Sequence, residues 1–189
     1  MEPVSRTRFR RQKYSPARWG RLLAILLFLV GLSRAEQGPL EYQVKAAFLL
    51  NFVKFVEWPR TAFTASDAPI SICILGDDSV ANALSQMVAG EVVTGRKLAV
   101  EKVKRAALPK TCQALFINKS EKDVPGSLAA FKTGVLTVGE EESFLREGGM
   151  IAFVIENRRV RFDINQGAAQ NAGLKLSSKL LSVARSVAN

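Results

Sequence analysis

The chain of 189 residues contains no histidine. That excludes histidine-based catalytic triads, the commonest general acid–base, and most zinc sites. Only two cysteines are present, Cys73 and Cys112. No GxGxxG or Walker pattern occurs, so the usual phosphate-cradling loops are missing too. Nothing positions a nucleophile beside a base, so the chain is not expected to be an enzyme and no cofactor is implied. Apolar runs are short. The longest without a polar side chain is Leu22 to Leu32, eleven residues, well below the roughly 20 that a spanning helix needs.

That run has a particular setting. Seven positive charges precede it, and Ser33-Arg34-Ala35 follows it. A basic leader, an apolar stretch and a small-x-small triplet form the layout of a secretory signal peptide. Cleavage is expected between Ala35 and Glu36; the alternative is a retained anchor. Cleavage changes the electrostatics. The whole chain has 27 basic and 17 acidic residues, a net of +10, but residues 36–189 hold 19 and 16, a net of +3. The high charge belongs mainly to the leader and does not argue for nucleic acid. The remaining 154 residues suit one domain with its own core. In an oxidising compartment Cys73 and Cys112 are candidates for a disulfide; two reduced core cysteines are the alternative.

The pattern alternates strands and helices. A helix is expected over Glu41–Glu57, then strands over Ile70–Leu75, Leu98–Val103, Ala114–Ile117, Gly134–Val138, Met150–Glu156 and Arg159–Ile164. Helices are expected over Ser79–Val88, Ser120–Ala130 and Gly139–Glu147, and through a tail from Asn165 broken near Gly173. This implies an α/β fold: a single three-layer domain, with a mostly parallel sheet and an antiparallel hairpin at one edge.

The polar clusters mostly have structural readings. Asp77 and Asp78 follow a strand and suit a helix N-cap better than a metal site, so no metal is expected. Glu140, Glu141 and Glu142 suit the start of a helix. Arg158, Arg159 and Arg161 lie on or beside the hairpin, where Arg159 and Arg161 share a face. They fit either an anion or acidic partner, or a solvated strand protected by charge. Lys175 is a further candidate for an anion.

The stretch KAAFLLNFVKFVEWP, Lys45 to Pro59, is membrane-like in hydropathy but carries Lys45, Asn51, Lys54 and Glu57. Charges at a bilayer centre cost about 2.5 kcal/mol or more each, so a packing helix is expected. Val44, Phe48, Phe52 and Phe55 should face the sheet. Leu49, Leu50, Val53 and Val56 widen the apolar band beyond one contact. That surplus fits a dimer mate or a partner, with Lys54, Glu57 and Trp58 at its edge, or burial under the C-terminal helices.

Four stretches together resemble a known family: KAAFLLNFVKFVEWP; SICILGDD with Cys73; TCQALFINKS with Cys112; and VLTVGEEESFLREGGMIAFVIENRRVRFDINQGAAQNAGLKLSSKLL. They are similar to the YfiR family, DUF4154, over residues 41–184. The resemblance implies an α/β domain, export to the periplasm, and often a homodimer. It implies a bridge between Cys73 and Cys112. It also implies a regulatory role, in which the protein binds the periplasmic sensor part of an inner-membrane diguanylate cyclase and represses it, lowering cyclic di-GMP and biofilm formation. A small-molecule-binding sensor module serving another receptor or transport system is the alternative.

Overall fold

A computed structural model describes residues 37–76, 78–107, 111–131 and 133–189, with backbone alone at residues 37–39 and 78. The expected signal segment, the expected Ala35–Glu36 cleavage junction and Asp77 lie outside the described residues. Gly38–Asn189 form one compact unit.

The strands of the middle are apolar on both sides, as helices covering both faces require. Every residue of β2 (Ile70–Leu75) and β5 (Ala114–Ile117) is buried. Around them lie β4 (Arg96–Val103), β6 (Leu136–Glu140) and β7 (Ile151–Glu156), all parallel neighbours. Antiparallel pairs extend both ends: β3 (Val92–Val93) on β4, and β8 (Arg159–Asn165) on β7. β10 (Ser186–Ala188) then adds to β8 in parallel, giving the order β10-β8-β7-β6-β5-β2-β4-β3. A two-stranded ribbon pairs β1 (Val56–Glu57) with β9 (Lys175–Leu176).

The two-residue alternation of strands sorts side chains onto two cores. Ile70, Ile72, Ile74, Phe116, Phe153 and Phe162 share one with α1 (Gln37–Lys54), α2 (Asp78–Met87), α5 (Gln166–Asn171) and α6 (Ser178–Val183). Cys73, Leu75, Leu115, Ile117 and Ala152 share the other with α3 (Val124–Ala129) and α4 (Ser143–Arg146). The three layers expected from the sequence are present.

Several boundaries differ. The first helix stops at Lys54, because Val56 and Glu57 pair with Leu176 and Lys175 instead. Asp123, not Ser120, caps α3, accepting the Gly126 N–H at 2.9 Å. Gly139 and Glu140 still belong to β6, so the acidic helix shrinks to Ser143–Arg146. The tail does break at Gly173 (φ +79°), but it contains two short strands as well as helices. The hairpin is not the outermost element, because β10 lies beyond it. Its turn residues, Asn157 (φ 49°) and Arg158 (φ 61°), have the left-handed backbone of a two-residue I′ turn.

The surplus apolar band of α1 is absorbed within the chain. Leu49, Val53 and Val56 are buried in the same core as Phe52, and Leu50 packs against it. Val44 stays half-exposed, and Phe55 packs at the core's margin. The width therefore needs no second protein to explain it.

Candidate functional site

Lys45 lies on the buried side of α1 and is 3% exposed. An isolated buried ammonium is costly. Here Glu41, one turn earlier, and Glu140, at the end of β6, both accept hydrogen bonds from its Nζ. Burial lowers the Lys45 pKa, but the hydrogen bonds and charges of the two carboxylates outweigh it and leave it raised. The second oxygen of Glu140 accepts the Lys119 backbone N–H at 2.7 Å. One carboxylate thus ties α1, β6 and the residues after β5. These groups border a cavity of about 320 Å³ that also meets Glu141, Glu142 and Arg185. Glu141 has φ +72°, a left-handed backbone outside either hairpin turn.

Arg185 forms a second node. Its Nε donates to Asp163 at 2.8 Å and its Nη2 to Asp163 and Glu142. Burial pushes the Asp163 carboxyl up, yet hydrogen bonds from Arg185 and Ser186 bring it below the usual range.

In open α/β sheets ligands commonly sit at the carboxyl ends of strands, where the strand order reverses. In this sheet the reversal falls between β2 and β5. Asn118 lies against Gly76 there: a Cβ on Gly76 would come within 2.7 Å of the Asn118 Cβ. Gly76 also has φ +110°. The backbone's close approach to Asn118 explains the glycine that follows β2.

A different cleft opens near the end of α1. The Trp58 Nε1 donates to the Gln113 carbonyl at 3.0 Å. The Gln113 side chain accepts the Ser71 N–H at 2.8 Å and donates to the Ala62 carbonyl at 2.7 Å. Arg96 lies 3.8 Å from the centre of the Phe63 ring and donates to the Ala65 and Ala68 carbonyls. These bonds brace a cleft of about 530 Å³ lined by Trp58, Arg60, Phe63, Ala65, Ser66 and Arg96. Both charged residues in that lining are arginines.

The candidate residues fall into separate places. Lys54, Glu57, Trp58 and Lys175 gather at the end of α1: Glu57 sits opposite Lys175, and Lys54 pairs with Glu91 at 2.7 Å. Arg158, Arg159 and Arg161 lie apart from these, on the β7–β8 hairpin. Cys73 and Cys112 are bridged, with Cα atoms 5.9 Å apart, tying β2 to the residue before Gln113 and β5. The sequence reading missed Arg60, Phe63, Arg96, Gln113 and Arg185, which become neighbours only through folding. Lys45 did carry a signal, since a lysine within an apolar stripe needs a buried carboxylate.

Comparison with known proteins supplies the context. No curated protein matches the chain. A crystal structure of a conserved domain protein from Vibrio cholerae O1 biovar El Tor shares the fold, with a TM-score of 0.51 and 12% identity. The match covers 77% of this chain and 60% of that one. An ABC domain from Streptococcus pneumoniae, solved in complex with L-Trp, gives a TM-score of 0.43 at 14% identity, covering 62% of this chain and 54% of that one. The profile described as YfiR/HmsC-like, DUF4154, matches residues 42–185, nearly all of the compact unit, and on that match the chain belongs to the YfiR/HmsC-like family.

Proposed function

We propose that this protein is a periplasmic regulator that binds the sensor part of an inner-membrane diguanylate cyclase and holds it inactive. The observation that carries the reading is the family match over residues 42–185. The bridged Cys73–Cys112 pair suits an oxidising compartment. The mechanism is differential binding: the protein prefers the inactive sensor and shifts its population, with no chemistry of its own. Deleting the gene should raise cellular cyclic di-GMP and biofilm. An unchanged level, with the cyclase shown to be expressed, would sink the reading.

The braced Trp58 cleft favours a second reading, a sensor module for a small organic anion. Its volume falls within the range of ligand pockets. Arg60 is exposed and its side chain has no ion pair or hydrogen bond with a described residue. Titration with naphthoate, followed through the Trp58 indole N–H resonance, should show saturable shifts that Arg60→Gln weakens and a neutral naphthamide does not reproduce. No shift with the acid, or equal shifts with acid and amide, would remove this reading.

A further inference from the structure

Among the described residues, no strand pairs with the outer side of β8 over half its length. β10 pairs with Asp163, Ile164 and Asn165. From Arg159 to Phe162 the strand has, among the described residues, β7 alone as a sheet neighbour. The Phe162 carbonyl accepts the Arg185 N–H at 2.8 Å and so points outward. Backbone groups alternate in direction along an antiparallel strand. The N–H and C=O of Val160 therefore point outward too.

The two faces beside this edge differ in chemistry. Arg159 and Arg161 lie on one face, with Arg158 at the turn, and all three are exposed. None of these guanidiniums has an ion pair or hydrogen bond with a described residue. Arg185 holds two of the acids nearby, Asp163 and Glu142; the third, Glu156, sits opposite Arg159 and lies 3.8 Å from Arg185. On the other face Ile155 sits directly opposite Val160 and is 57% exposed.

We propose that this edge receives an extended acidic segment of a partner protein, which adds to the sheet beside Arg159–Phe162. Outward backbone groups supply the affinity of strand addition, and alternate side chains supply its specificity. Carboxylates of the segment would lie beside Arg159 and Arg161, and its apolar residues on the Ile155 side. Charged residues on a bare edge ordinarily repel other strands. Along the open stretch of β8 itself the charged side chains, Arg159 and Arg161, have one sign. A second copy of β8 would bring arginine against arginine, which is unfavourable across a strand pair. A basic strand is turned away in the same manner, and an acidic one is admitted. The proposal rests on the reading of this chain as a protein-binding regulator.

The test uses the isotopically labelled protein and a short synthetic peptide of alternating glutamate and valine, with its lysine–valine counterpart as control. The glutamate peptide should give saturable amide shifts centred on Val160 and Phe162, and slow Val160 amide exchange at least tenfold. The doubly substituted Arg159→Glu, Arg161→Glu protein should melt as the parent does and bind at least tenfold more weakly. Shifts centred elsewhere, binding of the lysine peptide, or full affinity in the charge-reversed protein would overturn the proposal. Gene deletion separates the two ideas. Unchanged cyclic di-GMP with the peptide still docked on β8 removes the cyclase and keeps the edge. Raised cyclic di-GMP with no docking does the reverse.

Discussion

On the face of the sheet beneath α1, the rings of Phe48, Phe52, Phe153 and Phe162 are linked by contacts of 4.8 to 6.0 Å between centroids. Among the described residues, the opposite face buries one phenylalanine fully, Phe144, and is crossed by the Cys73–Cys112 bridge. Phe144 lies where side chains of its neighbours would be. A Cβ on Gly139 would come within 2.3 Å of its ring, and one on Gly149 within 2.1 Å. The two faces therefore hold by different means. One relies on apolar area and ring packing. The other adds to an aliphatic core of Leu75, Leu115 and Ile117 a covalent tie and backbone brought close to a single ring. They should fail under different insults.

Removing a ring beneath α1 is the strongest test. Phe52 is 1% exposed and touches Phe48, Phe153 and Phe162. Phe52→Ala should cost about 3–5 kcal/mol in urea unfolding, as expected for a large cavity. Phe131→Ala, a half-buried ring against the second core, should cost clearly less. Equal losses would erase the contrast between the faces.

Opening the bridge is the matching test of the second face. The cysteines are 39 residues apart. Closing such a loop constrains the unfolded chain by about 4 kcal/mol in the entropic model. The Cys73→Ala, Cys112→Ala protein should lose about 2–4 kcal/mol, and its urea m-value should rise because the unfolded chain expands. Adding Phe52→Ala should give a near-additive loss if the faces are independent. A coupling above about 1 kcal/mol would show that the sheet transmits strain between them.

Lys45 sharpens the picture at the rim of the first face. Breaking a buried pair by removing one partner costs about 3–5 kcal/mol; some solvent reaches Glu41, whose side chain is 33% exposed. Lys45→Met should therefore lose about 3 kcal/mol. The pH dependence has a definite sign. The Lys45 pKa is raised on folding, so its contribution is full below the ordinary value of 10.5 and is lost as pH rises through the folded value. Parent stability should fall in that alkaline window. A Lys45→Met protein with the same alkaline slope would show that other groups produce it.

The contrast between the faces also shows what was legible in the sequence. The buried strands ISICIL and ALFI, and the Asn157-Arg158 turn, could be read because their signals are local. β3, β9 and β10 were missed: two or three residues give no periodicity, and only a neighbouring strand defines them. Glu140 looked like a helix-start acid because three glutamates run together. Its partner Lys45 lies 95 residues away. The bridge was open as a reading of the residues and favoured by family resemblance. Gly139 and Gly149 gave no hint of Phe144, because that constraint is tertiary.

The smallest expected effect lies in the thinner second layer. Ser127 on α3 is fully buried, and its hydroxyl has no hydrogen-bond partner among the described residues. The loop that opens this helix is well satisfied by comparison, since Asp123 accepts the Gly126 N–H. A buried hydroxyl without a partner carries a desolvation cost of about 1–3 kcal/mol. Ser127→Ala removes that cost and replaces serine with a better helix former. It should therefore stabilise the protein by up to about 1 kcal/mol, raising the melting temperature by about 2–4 °C. Few buried positions in either core should gain from losing an atom, because close packing normally penalises it. A fall in melting temperature would mean that the hydroxyl is satisfied in solution, most simply by a buried water. The second layer would then owe its hold to a polar contact as well as to the bridge and the seated ring.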